Sequence, residues 1–304
     1  MTAISRSQRL AADLALVFVS FLWGATFVVV KAALNDASSL VFLALRFSLA
    51  VFLLLLLFRL RPGSLSSFRA HWRGGALCGL FLFLGYALQT AGLLTTTASK
   101  SAFLTGLFIV LVPVLSAALH RHAPGWVEWT GTALAIAGTG LLTIDPSAGF
   151  RLTTGDLLTI GCAVAFAAHV VTVARYSTSR GHEALTLWQI LSVAVLSAAS
   201  CWWLEPPRLA WTPRLALALV ITAVFATTIC FALYTWAQAR TTATRAALLF
   251  ALEPVFASLV AWLWSGEAWT VRTLSGAALI LMAILFVELK PSLRQNHPQN
   301  QLGT

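Results

Sequence analysis

The chain has 304 residues, 59% of them hydrophobic and 10% charged, with a mean hydropathy of +0.85. So little polar surface excludes a soluble globule of this length and makes a bilayer its solvent. The formal charge of +10 would suggest nucleic acid in a soluble protein, but here the cations are spread over short loops without a cluster, which points to membrane orientation instead.

About 20 apolar residues cross a hydrocarbon core of about 30 Å. Ten stretches of that kind follow one another between short polar breaks, predicted at 12–33, 38–58, 72–94, 99–119, 126–144, 155–175, 183–203, 213–236, 243–264 and 270–289. Runs such as 51–58 are apolar on every face, which favours helices over the alternation of a membrane β-barrel. The first span matches the others in length and has no small-residue cleavage site, so it reads as a retained helix. It carries Trp23 beside Gly24, deep for a residue of an interfacial belt. The second span holds Arg46 eight residues in; the third holds Tyr86 and Gln89; the fourth, Pro113. Gly131, Gly138, Gly155 and Gly161, in and beside the fifth and sixth spans, suit close helix packing. His169 is central in the sixth span, and Trp188 and Gln189 lie in the seventh. Tyr234 lies in the eighth, with Gln238 at its end, and Glu253 directly precedes Pro254 in the ninth. Cys78, Cys162, Cys201 and Cys230 all fall within spans, where a thiol behaves as a small apolar residue, so no disulfide framework is expected. The polar run 291–304 reads as a disordered cytoplasmic tail.

The spans are duplicated. Residues 96–100 read TTASK and, 145 positions on, 241–245 read TTATR; the same register pairs Gly131 with Gly276, and a two-residue shift pairs Asp13 with Asp156 and Arg46 with Gln189. Each copy holds five spans, and an odd number forces the second to sit upside down relative to the first. The expected fold is therefore all-α, ten transmembrane helices in two inverted five-helix repeats, 11–145 and 153–290. Placing the N-terminus in the cytoplasm puts thirteen of the 20 Lys and Arg on the inner side and six on the outer, with Arg46 within a span, so both termini are expected inside.

The FLWGATF stretch with Trp23 and Gly24, the LALRFSLA stretch with Arg46 and Phe47, the SKSAFLTGLFIVLVPVL segment around Pro113 and the ALEPVFASLVAWLWSGE segment around Pro254 give the chain its family likeness. It resembles the drug/metabolite transporter superfamily, in its ten-helix EamA-domain branch, over roughly 11–290. The resemblance implies a polytopic permease, often an exporter of amino acids or other small metabolites, in a bacterial inner membrane. Two departures stand out. Gly266 and Glu267 before the tenth helix face His122 at the paired position. Pro113 and Pro254 are out of strict register, which predicts helix breaks about one turn apart in the two halves.

Polar groups deep in hydrocarbon cost about 2.5 to 3.5 kcal/mol when charged, so the few present mark candidate sites. Glu253, beside a proline that removes a backbone donor, either binds a substrate ammonium or a proton, or stays neutral and hydrogen-bonded to a neighbouring helix. Arg46 either holds a substrate carboxylate or pairs with Glu253, or it anchors packing. His169 suits proton coupling or packing. Tyr86, Gln89, Tyr234 and Gln238 supply neutral hydrogen-bonding groups, with Gln189, Trp188 and Trp23 as further candidates and Pro113 and Pro254 as helix breaks. No G-x-x-x-x-G-K-[ST] loop is present, so energy is expected from a gradient, with protons as the candidate coupling ion, no cofactor, and no nucleic-acid partner. An intramembrane enzyme needs clustered acids, metal ligands or a nucleophile with its base, and the spacing offers none; a non-transporting scaffold has little loop surface to work with.

Overall fold

A computed structural model of the chain describes residues 5–59, 68–96, 98–120, 125–144, 152–179, 181–265 and 270–289. Among these residues the regular structure is helical, apart from an isolated antiparallel bridge between Ala37 and Leu209. The first half comprises α1 (Arg6–Ala33), α2 (Ser39–Arg59), α3 (Trp72–Leu93), α4 (Ala98–Gly106), α5 (Phe108–His120) and α6 (Trp126–Thr143). The second comprises α7 (Thr154–Tyr176), α8 (His182–Ser200), α9 (Pro213–Ile221), α10 (Cys230–Gln238), α11 (Ala243–Phe250), α12 (Glu253–Ser265) and α13 (Val271–Leu289). The segment Thr222–Ile229 joins α9 to α10 as a π-helix, so the three form one continuous span. In the same way α4 with α5, and α11 with α12, make one interrupted span each.

Local sequence sets the helix starts. Ser5 and Gln8 form a reciprocal capping box on α1, Thr153 and Asp156 form another on α7, and Thr242 accepts from the Arg245 amide at the head of α11. Among the described residues eight stretches are long and apolar enough to cross a membrane, and Val271–Val287 is a shorter apolar helix. The fifth helices of the two halves, α6 and α13, trade side-chain bulk for close approach. A Cβ on Gly138 would lie 2.6 Å from the Gly276 carbonyl oxygen, and one on Gly276 would lie 2.7 Å from that of Gly138. Exchanging the halves by 145 positions turns this pair into Ala283 and Gly131, and a Cβ on Gly131 would indeed lie 3.4 Å from the Ala283 carbonyl oxygen. That reciprocity is what a two-fold relation between inverted halves requires.

The duplicated charges obey the same exchange. Lys100 Nζ meets Asp156 Oδ2 at 2.5 Å, joining the first half's fourth span to the second half's first; Arg245 Nη2 meets Asp13 Oδ2 at 2.7 Å, joining the second half's fourth span to the first half's first. By the alternation of the spans, the Asp13 pair lies toward the face where α1 begins and the Asp156 pair toward the opposite face. A polar strap also ties the two halves together on that opposite face. Asp36 accepts from Arg214 at 2.8 and 2.9 Å and from Thr212 at 2.9 Å, while the Ala210 amide donates to the Asp36 carbonyl at 2.7 Å. Glu205 caps α2 by accepting from the amides of Ser39 and Leu40 at 3.2 and 2.5 Å.

One expectation is corrected. The helix breaks are not a turn apart: α4 ends at Gly106 and α5 begins at Phe108, leaving Leu107 between them, while Ala251 and Leu252 separate α11 from α12. Leu107 and Leu252 are 145 positions apart, so the breaks are in register. Gly106, a poor helix former, ends α4, and Pro113 falls inside α5 without breaking it. Pro254 instead occupies the second position of α12, where its missing donor is an orphan in any case. His122, Gly266, Glu267 and the tail 291–304 lie outside the described residues.

Candidate functional site

A cavity lies between the halves. The first half contributes Trp23, Thr26 and Val30 from α1, Arg46 from α2, Tyr86, Gln89 and Leu93 from α3, and Thr105 and Phe108 from its interrupted span. The second half contributes Phe166 and His169 from α7, Phe231 and Tyr234 from α10, and Phe250 and Glu253 from its own interruption. On α1 and α3 the lining runs through the second half of each helix, so the space extends from mid-depth toward the face opposite the N-terminus.

Glu253 sits at, and Arg46 reaches to, irregular backbone in the second half. Glu253 is the first residue of α12, at the break after Phe250. Gly24 lets α1 reach this break: a Cβ there would overlap the Glu253 carbonyl oxygen and lie 3.1 Å from the Ala257 amide nitrogen. Arg46 is buried, and its Nε donates to Thr227 Oγ1 at 2.8 Å. Thr227 belongs to the π-helical segment and donates in turn to the Thr222 carbonyl five residues back, at 2.9 Å. The same segment anchors Trp23, whose indole Nε1 donates to the Ala226 carbonyl at 2.9 Å. One π-helical turn thus fixes two cavity side chains from the other half, the kind of role in which such turns recur. The Arg46 guanidinium also lies 5.0 Å from the Tyr86 ring centre and 5.3 Å from that of Phe47, contacts that offset part of its desolvation. Among the described residues no ion pair within 4.0 Å joins Arg46 to Glu253, or either to another charged side chain.

The remaining walls are aromatic. Trp23 packs at 5.4 Å from Phe231 and 5.2 Å from Phe250, and Tyr86 at 5.2 Å from Phe166. Gln89 is held by donating to Thr105 Oγ1 at 3.1 Å. His169 Nε2 lies 2.8 Å from Gln189 Oε1, and Gln189 Nε2 donates to Thr235 Oγ1 at 3.0 Å.

The cavity therefore gathers Glu253, Arg46, His169, Trp23, Tyr86, Gln89 and Tyr234. It does not take in Trp188, Gln189, Gln238 or Pro113. Trp188 stacks on Phe68 at 4.3 Å and donates to its carbonyl at 2.7 Å, which holds it at the loop side of α8. Gln189 stands behind His169 as its partner. Gln238, at the end of α10, donates to the Thr241 carbonyl at 3.4 Å. Sequence reasoning missed Thr227, Thr105 and the rings of Phe166, Phe231 and Phe250. The adjacent threonines Thr227 and Thr228 in mid-span were the available sign.

These features define an integral membrane protein of the inverted-repeat carrier class. The EamA-like transporter family matches residues 10–144 and again 153–289. The chain belongs to this family. An uncharacterized transporter of Archaeoglobus fulgidus is 33% identical over 285 residues, 93% of this chain and 87% of that one. The uncharacterized transporter YoaV of Bacillus subtilis is 24% identical over 280 residues, 89% of this chain and 94% of that one. A protein of known crystal structure shares the fold with a TM-score of 0.78 at 22% identity, covering 96% of this chain and 100% of its own.

Proposed function

We propose that the protein is a secondary transporter that exports a small amphipathic metabolite, such as an amino acid or a drug-like solute, by alternating access between its halves. The observation that carries this reading is the cavity's charge arrangement: one guanidinium and one carboxylate line the same aromatic-walled space without pairing with each other. Buried charges are costly alone, so each is stabilised by an opposite charge brought in by a solute. A carboxylate on the solute meets Arg46, an ammonium meets Glu253, and the rings receive an apolar body. In the solute's absence Glu253 is the group that takes up a proton, which would couple export to proton entry. Family membership supports a carrier over an enzyme or a scaffold. The excess of cations on the N-terminal side supports a bacterial inner membrane with both termini cytoplasmic, and the cavity then faces outward.

The test is efflux from proteoliposomes across a panel of labelled amino acids and amphipathic amines. Glu253→Gln is expected to lower the rate of the best solute at least tenfold and to abolish its dependence on a pH gradient. Arg46→Gln is expected to raise KM for carboxylated solutes and leave amines unaffected. A Glu253→Gln protein that exports at the normal rate with normal pH dependence would remove Glu253 from the mechanism.

A further inference from the structure

Two buried side chains behind the cavity fix the chemistry of a third that lines it. Thr235 Oγ1 lies 2.8 Å from the Phe231 carbonyl oxygen. A carbonyl only accepts, so the single hydroxyl proton of Thr235 is committed there. The 3.0 Å contact between Thr235 Oγ1 and Gln189 Nε2 must then run from amide to hydroxyl. This pins the Gln189 amide against flipping and turns its Oε1 toward His169 Nε2, 2.8 Å away. An amide oxygen also only accepts. His169 therefore carries its proton on Nε2, and in the neutral ring Nδ1 holds a lone pair. Thr235 and Gln189 are wholly buried and His169 nearly so, which leaves water no place from which to break the chain. Nδ1 has no hydrogen-bond partner among the described residues, and the ring lines the cavity between Phe231 and Tyr234, at centroid distances of 6.1 and 5.8 Å.

We propose that His169 presents Nδ1 to the cavity as a fixed acceptor for an N–H or O–H of the transported solute, with Gln189 and Thr235 as positioning residues that set its tautomer. The solute then needs a hydrogen-bond donor on the part that reaches the second half's wall, beyond the charges read by Arg46 and Glu253. A protonated ring would leave both nitrogens to donate; in the neutral ring this chain places the acceptor at Nδ1. The assignment to a solute rests on the transport reading, whereas the tautomer does not.

Nitrogen-15 NMR of the detergent-solubilised, histidine-labelled protein tests it, with the His169→Gln spectrum assigning the resonance. At neutral pH the wild type is expected to show His169 protonated on Nε2 and bare on Nδ1. Thr235→Val, which keeps the shape and removes the hydroxyl, is expected to yield a mixture of tautomers, while Thr235→Ser keeps the wild-type pattern. Phenol, which can donate, is expected to move the His169 Nδ1 resonance, and anisole, of similar shape but without a donor, to leave it in place. A proton on Nδ1 in the wild type, an unchanged tautomer in folded Thr235→Val, or equal or absent responses to phenol and anisole would each overturn the proposal. Absence of efflux for every solute tested, with the NMR pattern intact, would sink only the transport reading.

Discussion

The two ion pairs that are repeat-equivalent between the halves offer a comparison in which sequence equivalence and energetic equivalence part company. Lys100→Met and Arg245→Met remove repeat-equivalent cations, yet the carboxylates left behind differ: the Asp156 side chain is 0% exposed and that of Asp13 is 17%. Stripping the partner from a buried carboxylate costs about 3–5 kcal/mol. Asp156 keeps the Thr96 hydroxyl at 2.7 Å and the Thr153 amide at 2.7 Å, so the low end, about 3 kcal/mol, applies there. Asp13 reaches solvent and its loss is nearer the surface-pair value of about 1 kcal/mol. At about 2–4 °C per kcal/mol for a large domain, Lys100→Met is expected to lower the unfolding midpoint by about 6–12 °C and Arg245→Met by about 2–4 °C. Thermal unfolding of the two variants in the same detergent, followed by far-UV circular dichroism, measures this. The double variant Lys100→Met with Asp156→Asn is expected to recover much of the loss, because removing both partners leaves no orphaned charge. Equal losses, a larger loss for Arg245→Met, or no recovery in the double variant would refute the reasoning.

Other consequences follow from the close approach at the site and from the strap. Gly24→Ala forces a Cβ into the Glu253 carbonyl and the backbone cannot yield as a flexible side chain would, so a destabilisation of about 1–3 kcal/mol is expected together with a higher KM; an unaltered KM would show that Glu253 need not hold its place. Hydrogen bonds from Arg214, with help from Thr212 and against the opposing effect of burial, hold Asp36 below its ordinary 3.8. Because the folded value is the lower one, the strap's contribution is complete above about pH 4 and is lost as pH falls through that depressed value. Hydrogen exchange at the Ala210 amide, corrected for intrinsic rate, is expected to stay slow from pH 5 to 8 in the wild type and to be fast across that range in Asp36→Asn; equal protection in the two proteins would contradict it.

How far the fold could be read in advance differs from element to element, and the reasons are physical. Hydropathy located the spans because a bilayer permits few alternatives to a helix. The break in the fourth span was misplaced because Pro113 is a stronger sequence signal than Gly106, although a proline removes one donor from a helix that its neighbours can still hold. Arg46 and Glu253 stood out because charge is rare at that depth. The rings of Phe166, Phe231 and Phe250 were invisible, since an aromatic residue facing a cavity and one facing lipid are written alike. Trp188 and Gln189 were taken together as candidates, yet consecutive residues on a helix point about 100° apart, so one reached the loop and the other the interior. Threonines in membrane helices commonly bond back to their own carbonyls, and nothing in the sequence marks Thr227 as also accepting from Arg46.

The two halves are alike where they hold the scaffold and unlike where they hold polar groups. Exchanging them reproduces the contacts of Gly131, Gly138 and Gly276 and the ion pairs of Asp13 and Asp156, but applied to Arg46 and Thr227 it gives Gln189 and Leu82, and a leucine has nothing to accept. Gln189 turns instead to Thr235 and His169, both in its own half. The span running through the π-helix to α10 consequently anchors the polar residue of both second helices, at Thr227 and at Thr235, eight residues apart. Its counterpart α3 contributes a threonine, Thr90, that bonds back to the Tyr86 carbonyl on its own helix. A two-fold scaffold is thereby given a one-sided polar wall. Trp23 and Arg46 are both hydrogen-bonded to that wall, so separating it from α1 and α2 would have to break these two bonds.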